Sequence, residues 1–195
     1  MSDMKIQGGE KTIQDVFGEK YAFEIPHYQR PYSWTVSEAA ELLDDLLCSL
    51  GEDDSVPIDN VPPYFLGCIV LIKQEHSTDA KVVDGQQRLT TLTIVLSALR
   101  ETIHDAEWSS GLTTFLYARV NPTLGTSDRH RLLLKGDDRK FFHEFVQQPG
   151  GLAKLAKKDP KQFGSISQLN LRANGLLLHD RLKKLSEEKR QRLVR

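Results

Sequence analysis

The sequence predicts an α+β fold, a small mixed sheet with helices followed by a mainly helical region. Three observations predict it. The apolar run Tyr64–Ile72 and the shorter Ala80–Val83 read as paired strands joined by the polar "KQEHSTD". Directly after them, Leu92, Val95, Leu96, Leu99 and Ile103 recur at helical spacing. Beyond residue 105, most segments carry helical periodicity.

The elements follow in order. Ile13–Phe17 is short and amphipathic, one or two helical turns. "YAFEIPHYQRPYSW" is extended in character, because Pro26 and Pro31 bias the residues before them away from helix. Thr35 and Glu38 have capping-box spacing ahead of an apolar stripe of Ala39, Leu42, Leu43, Leu46 and Leu50. "GEDDSVPIDNVPP" is an acidic, Pro-rich loop leading to the buried strand Tyr64–Ile72, and Leu89–Ile103 is the strongest helix. Leu112–Val120 fits strand or helix, and "HRLLLKGDD" fits a short strand and a turn. Asp137 or Asp138 is suited to cap a helix carrying Phe141, Phe142 and Phe145, a cluster most simply read as core. Ser165 and Gln168 repeat the capping-box spacing before a long helix through Leu169, Ala173, Leu176, Leu177 and Leu185. The expected organisation is a core over residues 1–105 and a helical extension over 106–195 that stops inside helical sequence, as a truncated piece of a longer protein would.

Composition narrows the function. With 195 residues, 39% hydrophobic and 27% charged, the chain can bury one good core. A net charge of −1 supplies no global basic field, so any nucleic-acid contact must be local. "AKLAKKDPK" and "RLKKLSEEKRQRLVR" are basic enough to touch phosphate, but also fit solvated helix faces. Cys48 and Cys68 are the only cysteines and are not in CxxC form, which argues against a disulfide scaffold or zinc site and fits a reducing cytoplasm. "MSDMKIQGGEKT" lacks the apolar core of a signal peptide, and "YFLGCIVLI" is too short to span a bilayer, so no membrane partner is expected.

Two polar stretches carry candidate chemistry. In "VVDGQQRLTTL", a strand hands over to a helix whose first N–H groups lack internal partners and whose dipole favours an anion. Gly85 permits a sharp turn and a close ligand, Gln86 and Gln87 offer amides, Arg88 offers a guanidinium fork, and Thr90 and Thr91 add hydroxyls. Asp84 repels phosphate unless a cation lies between them. It is suited to hold Mg²⁺, to orient a water or to tie down Arg88. The plainer reading is an exposed turn capped by Asp84. In "IPHYQRPYSW", Tyr28, Gln29 and Arg30 stand beside Tyr32 and Trp34. They fit base stacking and edge reading, or else core aromatics beside a solvated charge.

Taken together, "IPHYQRPYSW", the leucine-striped helix, "YFLG" and "VVDGQQRLTTL" resemble, in order and spacing, the N-terminal domain family of GmrSD-type modification-dependent restriction enzymes and SspE-like anti-phage proteins. The resemblance covers about the first half of the chain. It implies a ParB/sulfiredoxin-like core and a site of the kind associated, in relatives, with nucleotide binding and hydrolysis. With Asp84 read as a metal ligand, the expected cofactors are Mg²⁺ and a nucleoside triphosphate. By this resemblance Asp84, Gln87 and Arg88 are expected to be catalytic, with Asp84 on the metal. Gln29, Arg30, Gly85, Gln86, Gln87, Arg88, Thr90 and Thr91 are expected to bind nucleotide and phosphate, and Tyr28, Gln29 and Arg30 are expected to contact DNA or a base. The implied partners are a nucleotide, modified or phage DNA, and a nuclease domain or subunit outside this chain. The alternative is a recognition module that senses a DNA phosphate or modified backbone without turnover.

Departures from the family matter as well. Relatives often carry a second polar "N-x-x-G" motif and then an HNH nuclease domain. Here Asn170 and Asn174 lie in helical sequence, "ANGLLL" lacks the flanking pattern, and no His–Asn–His constellation occurs. Sulfiredoxin chemistry needs a reactive cysteine in the turn, where this chain has Gln86 and Gln87.

Overall fold

The computed structural model describes residues 6–51, 53–118 and 129–195. After a helical turn, α1 (Ile13–Val16), the chain enters strand β1 (Ala22–Glu24), crosses the extended "IPHYQRPYSW" segment and forms α2 (Val36–Ser49). A loop leads to the hairpin β2 (Val70–Lys73) and β3 (Asp79–Asp84), then to the central helix α3 (Gln86–Thr102). Next come α4 (Ala106–Leu116) and short strands β4 (Tyr117–Ala118), β5 (Arg129–His130) and β6 (Leu132–Leu133). The chain continues through α5 (Gly136–Phe142), a π-helical turn at His143–Gln147, α6 (Gly151–Ala156), α7 (Ile166–Lys183) and α8 (Glu187–Val194).

The main sheet has the order β2-β3-β1-β6. β2 pairs antiparallel with β3, whereas β1 pairs parallel with both β3 and β6. This is the mixed α+β architecture that the sequence predicts. One hydrophobic core runs through both halves of the chain. Phe23, Val82 and Leu89 share it with Leu132, Leu171 and Leu178, so residues on either side of position 105 pack as one body.

α3 runs through the middle, with α7 and α4 packed along it. Only Arg88 and Glu101 of its residues escape burial. A buried helix holding several threonines must satisfy their hydroxyls. Thr90, Thr91, Thr93 and Thr102 each donate to the carbonyl four residues back. Arg100 reaches out of α3 instead. Its guanidinium donates to the carbonyls of Gln147 at 2.9 Å and Gln148 at 3.0 Å, closing the end of the π-helical turn. Glu101 accepts from the backbone N–H groups of Leu152 and Ala153 and so caps α6. α7 approaches closely at Gly175, where a Cβ would stand 3.0 Å from the Leu152 side chain.

The Thr35–Glu38 capping box forms in full. At α7, Ser165 accepts from Gln168 N, but the Gln168 side chain returns to Gly164 N, one residue earlier than the box requires. Several expectations need correction. Tyr64–Ile72 is not a buried strand: only Val70–Lys73 is regular, Phe65 is 75% exposed and Ile72 57% exposed. The physical reason is position, because β2 is the outer strand of its sheet. α3 begins at Gln86, three residues before the apolar pattern starts. Neither Asp137 nor Asp138 caps α5; Lys135 is its N-cap residue, and the aspartates lie in the first turn. Leu112–Leu116 ends α4, Tyr117–Ala118 pairs with β5, and the rest of the ambiguous stretch lies outside the described residues.

These burials separate two leucine-sized residues that the sequence treats alike. Leu99→Ala, inside α3, is expected to cost about 2–5 kcal/mol in urea unfolding. Ile72→Thr, on the edge strand, is expected to change stability by less than about 0.5 kcal/mol.

Candidate functional site

The turn between β3 and α3 is built by two glycines. Gly85 is left-handed, with φ +87°, and a Cβ there would lie 3.1 Å from the Cys68 carbonyl oxygen and from the Ile69 side chain. Gly67, the last residue of "YFLG", has φ +94°. A Cβ on it would lie 2.6 Å from Nη1 of Arg88 and 2.9 Å from its Cζ, so the guanidinium rests on bare backbone. Both positions therefore need glycine for conformation and for space.

The β3 edge has an irregularity beside this turn. Val70 pairs with Asp84 and Leu71 with Val82, so Val83 has no partner on β2, and β1 has already ended opposite Lys81. The freed carbonyl of Val83 accepts from Nε2 of Gln29 at 2.6 Å. Gln29 Oε1 in turn accepts from Nε2 of Gln86 at 3.1 Å. The two polar stretches thus meet, and an amide ladder joins them.

Gln87 makes the stronger connection. Its Oε1 accepts from Ser33 N at 2.8 Å and Trp34 N at 3.3 Å, and its Nε2 donates to the Pro31 carbonyl at 3.2 Å. One turn on, Thr91 donates to the Gln87 carbonyl, which leaves its oxygen free to accept from Tyr32 at 2.8 Å. Tyr32 itself accepts from Nδ2 of Asn174 at 2.7 Å, and the same amide donates to the Trp34 carbonyl at 2.9 Å. Burial pushes the Tyr32 phenol up to about 12. Asn174 was missed as a site-supporting residue. Its one sequence signal is a polar residue on the stripe of Leu171, Leu178 and Leu182.

Several expected ligand groups therefore face inward. Gln87 and Thr91 are committed to the fold. Thr90 is buried, and its hydroxyl is held by the Gln86 carbonyl. The groups left outward are different. No side chain caps α3, and among the described residues the N–H groups of Gln86, Gln87 and Arg88 have no acceptor. Asp84 is exposed and its Oδ1 accepts from Gly85 N at 2.8 Å. It does not tie down Arg88, whose guanidinium makes no ion pair or hydrogen bond among the described residues. Tyr28 is 70% exposed. Arg30 lines a narrow cleft with Gln86, Gln87, Thr90, Lys135 and Asp138, whereas Arg88 is not part of that lining. The cavity volume of the cleft, about 10 Å³, suits a single water. Arg30 and Arg88 therefore do not share one hollow, because Arg88 projects from α3 toward Gly67.

The fold and this turn define an α+β domain whose central helix, among the described residues, presents an uncapped N-terminus beside an arginine without an ion-pair partner, an arrangement that by charge suits anions. The chain belongs to the family described as GmrSD restriction endonuclease, N-terminal domain, which it matches over residues 13–194. It is thus a restriction-enzyme domain. No curated protein matches the chain. Among the described residues, no helix is long and apolar enough to cross a membrane, and no three His, Cys, Asp or Glu side chains are grouped to hold a metal.

Two outcomes follow from the hydrogen-bond chain. Asn174→Ala removes both bonds to the Tyr32–Trp34 segment and is expected to cost about 1–3 kcal/mol of stability in denaturant. Tyr32 is expected to ionise only at about pH 12 when absorbance is followed with rising pH, and Tyr32→Phe should remove that late step. The sign is that of a raised acid. Its contribution is intact below the ordinary tyrosine range and is lost as pH climbs through about 12.

Proposed function

We propose that this domain binds a nucleoside triphosphate at the Asp84–Arg88 turn and hydrolyses it to control a partner nuclease. The observation that carries the reading is the first turn of α3. Among the described residues its N–H groups have no acceptor and the guanidinium beside them has no counter-ion. Backbone amides, helix dipole and a planar cation together suit phosphate oxygens. Membership of a restriction-enzyme family supports DNA as the eventual target. Modified or phage DNA is the form that the resemblance favours.

Arg88 grips phosphate from its seat on Gly67, and the amides of Gln86 and Gln87 hold neighbouring oxygens. Asp84 fits Mg²⁺ only as an ion shared with the ligand's phosphates, since it is the one carboxylate at the turn. A bound Mg²⁺ would offset the charge of the phosphates. Gln87 serves by holding the extended segment against α3. Through Tyr32 and Asn174, that segment touches α7, which gives the ligand's presence a route to the helical half. Cys48 and Cys68 are both exposed and unpaired, which supports a cytoplasmic setting.

A second reading keeps the same turn but dispenses with turnover: the turn contacts a phosphate of a DNA backbone, with Tyr28 and Arg30 near the bases. The narrowness of the cleft favours it, because about 10 Å³ encloses no nucleotide.

Titration with ATP and GTP, with and without Mg²⁺, followed by phosphate-release measurement, separates the two. Arg88→Ala is expected to weaken nucleotide binding by about 1.5–3 kcal/mol, roughly 10- to 150-fold, with an unchanged melting temperature. Unchanged affinity in the folded variant removes Arg88 from the site. Binding of duplex DNA with no nucleotide binding favours the second reading.

A further inference from the structure

Lys135 sits where β6 gives way to α5, far in sequence from either polar stretch. Its Nζ donates to the His27 carbonyl at 3.1 Å and also to the Gln29 carbonyl. Its side chain shares the cleft wall with Arg30, Gln86, Gln87 and Thr90. Neither Lys135 nor Arg30 forms an ion pair among the described residues. The carboxylate in that wall, Asp138, is engaged elsewhere. It accepts from Ser167 Oγ at 2.5 Å and Ser165 Oγ at 3.5 Å. Ile25, Pro31, Tyr32 and Leu134 complete the lining and bring no charge.

Two cations and one carboxylate thus line one cleft, with neither cation ion-paired to Asp138 among the described residues, so the lining keeps a net positive charge. The cleft adjoins the first turn of α3 through Gln86 and Gln87. Like charges brought together repel, and an anion between them relieves the repulsion. A cleft the size of one water holds no phosphate inside it, so the anion belongs at the mouth. We infer that Lys135, with Arg30, binds the distal phosphates of a polyphosphate whose nearer phosphate lies on the α3 N-terminus. This rests on the nucleotide reading and extends it, because it assigns a ligand-binding residue to the helical half of the chain. Lysine is suited to the role as a point charge that needs no fixed fork. Its bonds to the two carbonyls hold the ammonium at the cleft and at the same time fix the backbone of Gln29.

The test uses N-methylanthraniloyl derivatives of GTP and GMP, and of ATP and AMP, with Mg²⁺, on the whole chain. Lys135→Gln keeps an N–H donor for the carbonyls and removes the charge. It is expected to weaken triphosphate binding about tenfold or more, and monophosphate binding by about threefold at most. Lys135→Arg should bind close to wild type. The ratio of the two affinities within one variant cancels any loss of folded protein, so a destabilised variant still reports. If Lys135→Gln leaves that ratio at the wild-type value while Arg88→Ala weakens both probes, the role of Lys135 is refuted and the nucleotide reading stands. If the wild-type chain binds none of the probes, the nucleotide reading fails and this inference fails with it.

Discussion

The Gln87 side chain is the interaction on which the rest of the arrangement depends. One amide oxygen takes two backbone N–H groups, from Ser33 and Trp34, and the amide nitrogen returns a bond to Pro31. An extended, proline-bounded segment has no ladder to satisfy its backbone, so a buried side chain must do so. Gln87 does this from the first turn of α3, and Tyr32, Thr91 and Asn174 continue the network into the core. An unsatisfied buried amide is costly, which makes the network an all-or-none clamp. With the clamp closed, Gln29 meets Gln86 and the carbonyl of Val83, and the N-terminus of α3 is left facing outward.

That division of labour explains a tension within the turn. A polar run where strand gives way to helix suggests ligand groups throughout. In the folded chain the run alternates in purpose. Gln86 and Gln87 turn their side chains toward the "IPHYQRPYSW" segment, while their backbone N–H groups stay unpartnered among the described residues. Arg88 points away from the clamp and rests on Gly67, and Asp84 is exposed and closes locally on Gly85. The same residues hold the fold with their side chains and leave their backbone N–H groups unpartnered among the described residues, where the proposed anion would sit. Loss of the ligand and loss of the fold can therefore be confused in a Gln87 variant, but not in an Arg88 variant.

Much of this was legible in the residue order. The helical spacing of Leu92, Val95, Leu96 and Leu99 places α3, and Thr35 with Glu38 places the start of α2. The turn at Gly85 follows from its residue types, and the family follows from the four segments in sequence. What was not legible depends on partners far along the chain. α3 starts at Gln86, directly after left-handed Gly85, whose carbonyl accepts from Leu89 N. The side chains of Gln86 and Gln87 then find partners more than fifty positions away, which no local pattern encodes. The apolar run Tyr64–Ile72 looks like a central strand, but only the sheet order reveals that it is an edge. Lys135 and Asn174 look like surface and helix residues until β6 and α7 bring them to the site.

An anionic ligand on the first turn of α3, as proposed, would touch the backbone amides there that have no acceptor among the described residues. The most direct measurement is a titration of ¹⁵N-labelled protein with Mg²⁺–GTP and with inorganic phosphate, following the backbone amide resonances. Gln86, Gln87 and Arg88 are expected to shift most and together, with Gly85 moving beside them. Resonances at these positions that stay still while others move, for example around the groove formed by Ser109, Ser110, Pro149 and Gly150, would contradict that placement.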